Sequence, residues 1–419
     1  MPTMKYPAPE PRFRIYKGPG FYRDILRELL RGTWKEGDDV ATLEGVGREQ
    51  YGVPHCLVTA QARVAIHLAI RALVGERREI VMSPYTIFEV VNMVISAGGT
   101  PVFADLEPGT CNVSLAGIRE AVSPATAAVM VTHLHGLACD IEAIRDYCAE
   151  RRLPLVEDAA QALGCEVGGR PVGTFGDVGI FSFGLAKNVN GLLGGMALVR
   201  SRALYDAMRT AQEAYPVPSL VETCAKAAMG LITDLTLSPL LYKAFFFWMF
   251  RFGYFHDIDM LNRRVTVEDN PRRVDGFPAA YRRTMLPFQA RLILKQLPGV
   301  DAASTLRRSN ARHYHDAFAN IHEIVMPPYP RDRSHVYLHF PILVPDRHAL
   351  VRHLMRQNRD CAVQHLKNCA DLPCFTEFRR DCPIARRTAQ ETVLLPTYPA
   401  YGMTEVERTA RAVREFFGR

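Results

Sequence analysis

Two short segments of this chain carry residues able to do covalent chemistry. In VEDAAQALG (156–164) an apolar run ends in Glu157-Asp158 and passes into small residues. A carboxylate at the carboxyl end of a buried strand can hold a cationic partner, although the same residue type also caps turns. In DVGIFSFGLAKNVNGLLGGMALV (177–199) an apolar run ends at Ser182-Phe183, and Lys187 follows among small residues. Gly191, Gly194 and Gly195 then lead into another apolar run. A lysine beside glycines is a phosphate binder, a Schiff-base former or an ordinary surface cation. The pair is more specific than either member. Lys187 follows Asp158 by 187 − 158 = 29 residues, each just after a strand-like run. Pyridoxal phosphate needs such a set. A lysine amine joins its aldehyde, and a carboxylate keeps its pyridine nitrogen protonated so that the ring accepts electrons. A hydroxyl and backbone N–H groups at a helix start bind its phosphate.

The elements that must position these residues alternate. HCLVTA (55–60) reads as a strand, ARVAIHLAIRAL (62–73) as a helix and EIVMSP as a strand. FEVVNMVISAGG, SLAGIREAV and DIEAIRDYCAERR read as helices between the strands PVFADL, AAVMVTHL and PLVEDA. DVGIFSF and GGMALVR are two further strands. This alternation predicts an α/β domain with a mostly parallel sheet covered on both faces. Ligands of such sheets sit beyond the carboxyl ends of the strands, where Asp158 and Lys187 fall. A helix is expected from Phe21 to Gly32, after a Pro-rich basic arm over 1–20 that lies on the body or on a partner. From about 276 long helices, a strand VYLHFPILV (336–344), a helix from Arg347 and a terminal helix predict a smaller α/β domain. The expected organisation is therefore 1–275 and 276–419.

Length and composition bound the rest. The 419 residues suit two packed domains, and 48% apolar with 23% charged residues describes a globular protein. The net charge is 51 − 44 = +7, spread along the chain. That favours anionic ligands or headgroups and is no nucleic-acid signature without a basic stripe. The ten cysteines include no Cys-x-x-Cys pair, and MPTMKYPAPEPRFRIYKG has no apolar core. A reducing cytoplasm is expected, with no secretory signal. Cys361, His365, Cys369, Cys374 and Cys382 lie close together, but their spacings fit no standard metal site and read as buried thiols.

Residues of about 205–275 break the pattern. Phe245, Phe246, Phe247, Trp248, Phe250, Phe252, Tyr254 and Phe255 crowd one stretch, which Asp234, Lys243 and Arg251 interrupt. No uncharged run approaches the roughly 20 residues of a spanning helix. The segment reads either as a buried helical hairpin or subunit contact, or as an interfacial element on a membrane or around a lipid-like substrate. Lys226, Lys243, Arg251, Arg263, Arg264, Arg272 and Arg273 suit anionic headgroups.

Over roughly 25–200 and 280–419 the chain resembles the DegT/DnrJ/EryC1/StrS sugar aminotransferases of fold type I. The segments that carry the resemblance include EGDDVATLEGVGREQYGVPHCLVT, AIHLAIRAL, YTIFEVVNMVISAGGTPVFADLEPGTCNV, THLHGLACDIEAI, LPLVEDAAQALG, FSFGLAKN and CPIARRTAQETVLLPTYP. The resemblance implies a seven-stranded, mostly parallel large-domain sheet. It implies Lys187 as the Schiff-base lysine and proton shuttle, and Asp158 on the pyridine nitrogen. It also implies Gln161 over the ring or near its phenolic oxygen, and Ser182 on the phosphate. His133 and His365 match positions near the substrate. Ala62 and Arg63 stand where the family has Gly-Thr before the helix, and Ile87 stands where a ring-stacking residue is common. The family's Gly-Glu-Gly-Gly becomes Leu192-Leu193-Gly194-Gly195, and its Asn-Tyr-Arg, which reaches the neighbouring subunit's site, becomes Arg282-Arg283-Thr284.

The resemblance further implies a homodimer using pyridoxal phosphate and its pyridoxamine form, with glutamate as donor and a keto acceptor. The more apolar and basic surroundings, with the aromatic stretch 226–256, suggest a lipid-linked acceptor at a membrane surface. The alternative is an ordinary nucleotide-linked keto-sugar. Dehydration is a further alternative, although relatives doing that chemistry typically lose the lysine. A catalytically degenerate regulator is the last, and it sits poorly with intact Asp158 and Lys187.

Overall fold

The computed structural model describes residues 8–256, 258, 270–274, 276–330, 332–363 and 366–419. The expected alternation is present. The chain runs α1 (Phe21–Arg31), α2 (Asp39–Tyr51), β1 (His55–Thr59), α3 (Ala62–Leu73), β2 (Glu79–Met82), β3 (Tyr85–Thr86) and α4 (Phe88–Ser96). It continues through β4 (Thr100–Phe103), α5 (Leu115–Ala121), β5 (Thr126–Thr132), α6 (Ile141–Arg151) and β6 (Leu155–Asp158). A short hairpin, β7 (Glu166–Val167) and β8 (Arg170–Pro171), precedes β9 (Val178–Ser182), β10 (Gly195–Val199) and α7 (Arg202–Glu213). The large sheet has seven strands in the order β1-β10-β9-β6-β5-β2-β4. Only β10 runs against its neighbours, β9 and β1. This is the fold type I architecture.

The strands read as unbroken apolar runs because both faces are covered. Successive side chains leave a strand on opposite faces. Ile80, Met82, Met130 and Val156 pack with α3, α4 and α7, whereas Val81, Val129, Val131 and Leu155 pack with α5 and α6. A one-residue slip would exchange the two sets.

Close backbone approach fixes the carboxyl edge. A Cβ on Gly179 of β9 would lie 1.9 Å from Gly173 O. The loop at Gly173 passes directly over the strand, and only glycine leaves room. The turn before β10 contains Leu192 at φ 69°. A left-handed conformation costs a branched residue about 1–2 kcal/mol. Leu192 is nevertheless buried among Phe21, Ala227, Leu286 and Phe288, and burying a leucine contributes roughly 1.5–3 kcal/mol. Packing outweighs the backbone cost.

The aromatic segment forms two helices, α8 (Leu220–Thr236) and α9 (Pro239–Phe255), bent by 52° at the junction. Residues 242–246 within α9 form a π-helical stretch. The inner side of α8 meets the turn before β10: a Cβ on Gly230 would lie 2.9 Å from Leu192 Cδ2 and 3.5 Å from Leu185 Cδ2. The inner side of α9 enters the smaller core through Tyr242 and Phe247. Arg263 and Arg264 lie outside the described residues.

Beyond this come α10 (Pro287–Leu294), α11 (Val300–Phe318), β11 (Phe340–Leu343), α12 (Arg347–Arg356), β12 (Ala362–Val363), β13 (Lys367–Asn368), α13 (Pro383–Glu391), β14 (Thr392–Leu395) and α14 (Met403–Phe416). A three-stranded antiparallel sheet, β11-β14-β12, backs onto α11, α12 and α14. Phe288, Ile293 and Val300 pack instead with the large sheet and its helices. The strand expected over 336–344 is paired in this sheet only from Phe340. Before it, Val336 N donates to Gly136 O at 2.9 Å, so Val336 is held to the loop after β5. The arm lies on the small domain. Arg12 pairs with Asp360 at 2.6 Å, and Tyr398 Oη donates to Pro11 O at 2.9 Å. Cys361, Cys369 and Cys382 are buried, and Cys374 is partly so.

Replacing Gly179 by Ala should lower stability by about 1–3 kcal/mol, the usual cost of overpacking. An unchanged urea midpoint would show that the loop at Gly173 yields freely.

Candidate active site

Neighbouring residues at the end of β6 point to opposite faces, so Glu157 and Asp158 do different things. Glu157 is fully buried. Its carboxylate accepts from Gly176 N at 2.6 Å, Gly173 N at 2.7 Å and His133 Nε2 at 3.1 Å. His133 Nδ1 in turn accepts from Cys139 N at 3.0 Å, which places the ring proton on Nε2. Both ring nitrogens of His133 are therefore engaged, and only its ring face is left for a ligand.

Asp158 faces the other way. Its Oδ1 accepts from Ala160 N at 3.1 Å. Burial raises its pKa, while the Ala160 N–H and the charge of Lys187 pull it down. Lys187 lies in the loop after β9, held by a bond from its N–H to Gly184 O at 3.1 Å. Burial lowers its pKa to about 8; Asp158 opposes that shift and Arg63 adds to it. The fold has thus brought an amine and a carboxylate from segments 29 residues apart within electrostatic reach. Ser182 ends β9 on the same edge. A Cβ on Gly184 would lie 3.7 Å from Ser182 Oγ and 3.9 Å from Lys187 Cγ, so the two residues flank that glycine.

The start of α3 supplies N–H groups. The first N–H groups of a helix have no intrahelical partner. Gln61, the residue before α3, provides no side-chain cap. A Cβ on Gly195 would lie 2.5 Å from Ala62 N, so glycine lets β10 pass beside the helix start. Ala62 and Arg63 thus present their N–H groups at this edge. The Arg63 side chain goes elsewhere: Nη1 donates to Tyr281 Oη at 2.8 Å and lies 3.5 Å from Glu89. Gln161 Oε1 accepts from His135 N at 2.9 Å, leaving its amide NH2 as the group it can offer. Ile87 precedes α4, half-buried. His365 lies outside the described residues.

Several residues carry no signal in the sequence. Lys187 lines a narrow cleft with Arg14, Arg307, His339 and Tyr398. Arg307 is buried, its Nε has no hydrogen-bond partner, and Nη1 donates to Leu338 O at 3.2 Å. Burial lowers its pKa to about 10. No motif links Arg14, Lys187 and Arg307 along the chain, so only the fold joins them. A larger cavity of about 500 Å³, lined by Tyr51, Leu163, Pro298 and others, shares none of these residues.

The site fits pyridoxal phosphate on this geometry. It offers a buried carboxylate, an amine with lowered pKa, a hydroxyl and uncapped N–H groups on one sheet edge.

Comparisons with known proteins agree. GDP-perosamine synthase of Vibrio cholerae is 35% identical over 190 residues, 45% of this chain and 52% of that protein. The alignment thus spans about half the length of that relative. A UDP-N-acetyl-3-dehydro-alpha-D-glucosamine 3-aminotransferase of Acidithiobacillus ferrooxidans is 26% identical over 404 residues, covering 94% of this chain and 95% of that one. Among solved structures, the aminotransferase TlmJ of Streptoalloteichus hindustanus superposes with a TM-score of 0.75 at 23% identity, over 98% of this chain and 99% of that one. DesI, solved with its TDP-sugar product, gives a TM-score of 0.72 at 23% identity over 98% and 94%. These two likenesses establish the fold. The profile of the DegT/DnrJ/EryC1/StrS aminotransferase family matches residues 21–219 and 256–414, most of the chain. The chain belongs to the DegT/DnrJ/EryC1/StrS aminotransferase family.

Proposed function

We propose that this protein is a pyridoxal-phosphate-dependent aminotransferase that moves an amino group from glutamate to a keto group on a nucleotide-linked sugar. The observation that carries the chemistry is the Lys187 amine with lowered pKa beside buried Asp158. Support for the acceptor comes from the relatives, whose names include a GDP-linked and a UDP-linked amino-sugar enzyme. Support for an acidic donor comes from Arg14 and Arg307, which line the Lys187 cleft.

The lipid-linked acceptor suggested by the aromatic segment is less well supported. Tyr242 and Phe247 are committed to the small-domain core, and no residue of α8 or α9 lines the Lys187 cleft. By resemblance the working unit is a homodimer. In this chain Arg283 pairs with Glu222 at 2.7 Å, and Arg282 stays exposed beside it.

Bound pyridoxal phosphate supplies an electron sink for the carbon that exchanges its amine. The chain's own residues do the rest. Ala62 N–H, Arg63 N–H and Ser182 Oγ would hold the phosphate. Asp158 would accept the hydrogen bond of the pyridine N–H and favour its protonation. Lys187 Nζ, neutral in an appreciable fraction of molecules near neutral pH, takes and returns a proton at the reacting carbon. Gln161 would meet the ring with its amide NH2.

Added pyridoxal phosphate should give a visible absorption band that glutamate shifts, and Lys187→Ala should lose the band and turnover while keeping its thermal midpoint. A band unmoved by glutamate, with turnover of a nucleotide-linked keto-sugar from another amine, would displace glutamate as donor. Appreciable turnover in the Lys187→Ala variant would remove its proposed role.

The same geometry predicts a pH profile. Labelling of Lys187 by trinitrobenzenesulfonate in cofactor-free protein should rise through about pH 8 and level off, because the neutral amine is the nucleophile. Asp158 opposes the lowering of that pKa, so Asp158→Asn should move the midpoint to lower pH. A midpoint unmoved or raised would show that the two side chains do not interact.

A further inference from the structure

The two helices of the aromatic segment are amphipathic in the wrong sense for water. Between residues 220 and 255 every exposed residue is apolar, among them Val221 (78% exposed), Ile232 (63%), Leu240 (84%), Phe245 (57%) and Phe252 (55%). The acids of the same stretch and Lys243 are paired, Asp234 in a largely buried position and Glu222 and Lys243 in partly exposed ones. Asp234 pairs with Lys17, Lys243 with Glu10, and Glu222 with Arg283. Arg251 donates to Asn358 Oδ1 at 2.8 Å, and Lys226 is half-buried. A contiguous exposed apolar face of this kind marks an interaction site.

Helix α1 lies against α8, where Tyr22 Oη donates to Gly230 O at 3.0 Å. Its exposed residues are Arg23, Leu26, Arg27, Leu30 and Arg31, all cationic or apolar. Both of its acids are paired inward, Asp24 with Lys295 and Glu28 with Arg291. Basic residues interleaved with leucines, beside an uncharged aromatic face, are the composition of a helix that lies in a membrane interface. Neither α8 nor α9 is long and apolar enough to cross a bilayer alone, and the pair is bent by 52°. That geometry suits lying on a surface.

We infer that the outward faces of α8, α9 and α1 seat this protein on an anionic lipid surface. Charge decides between lipid and a second copy of the chain. A copy brought face to face would set the arginines of α1 against each other, since α1 exposes no acid. Acidic lipid headgroups supply the missing negative charge. The inference rests on this surface alone and is independent of the proposed reaction, since the apolar face is no part of the Lys187 cleft.

Flotation of the full chain with vesicles tests it. The protein should float with vesicles of phosphatidylcholine and phosphatidylglycerol, and less well with phosphatidylcholine alone or at high salt. Losing an inserted apolar side chain weakens partitioning by about tenfold. A double variant, Ile232→Asp with Phe245→Asp, should therefore bind about a hundredfold less tightly. Its thermal midpoint and its band with pyridoxal phosphate should stay unchanged, since both positions are exposed. Arg27→Gln should weaken binding by roughly fivefold on anionic vesicles and leave phosphatidylcholine unaffected. Failure of the wild-type protein to float with either vesicle would overturn the inference. So would a double variant that still floats. A protein that never floats, but whose double variant passes from dimer to monomer in sedimentation, would assign the face to a second copy.

Discussion

Burying two adjacent carboxylates at the end of one strand is the constraint on which the rest of this molecule depends. A carboxylate removed from water is costly unless it is paired or hydrogen-bonded. Glu157 meets that requirement with two backbone N–H groups and the His133 ring, and so fixes the loop that passes over Gly179. Asp158 meets it only in part, with one N–H and the charge of Lys187. The second pairing is the chemically useful one. Burial moves both groups from their ordinary pKa, each partner's charge offsets part of that shift, and the site is left with an amine whose pKa stays lowered to about 8.

Helices α8 and α9 are joined to this site by packing. The Lys187 loop ends in Leu192, whose left-handed backbone is held by contacts with α1, α8 and α10. Gly230 allows α8 to approach that turn closely. An element with an apolar outer surface therefore forms the back wall of the loop that carries the reactive lysine. On its other end, Tyr242 of α9 donates to Asp360, which also holds Arg12 of the arm. Arm, aromatic segment and small domain meet at one buried carboxylate.

Much of this was legible in the sequence because it obeys local rules. Unbroken apolar runs located β1, β2 and β5, which are buried on both faces, and a helical period located α3. The ends of β6 and β9 were visible as apolar runs stopping at Asp158 and Ser182. Gly32 ended α1 where expected, at φ 74°. The strand over 336–344 was less legible, because Val336 is as apolar as Phe340. What separates them is the partner each backbone finds: the loop at Gly136 for one, β14 for the other.

The sequence by itself determined the alternating α/β architecture and set Asp158 and Lys187 at strand ends, where the family resemblance implies pyridoxal phosphate. These come from periodicity and from a small set of residue types at strand ends. Only the tertiary structure decided how each side chain is used. Arg63 turns to Tyr281 and Glu89, His133 spends both ring nitrogens on Glu157 and Cys139, and Arg14 and Arg307 join Lys187 in one cleft. The aromatic segment could be read as core or as surface because it is both, and its composition cannot say which residues face inward. That division depends on distant partners such as Asp360, Glu10 and Leu192. Contacts between residues far apart in the chain leave no periodic trace along it.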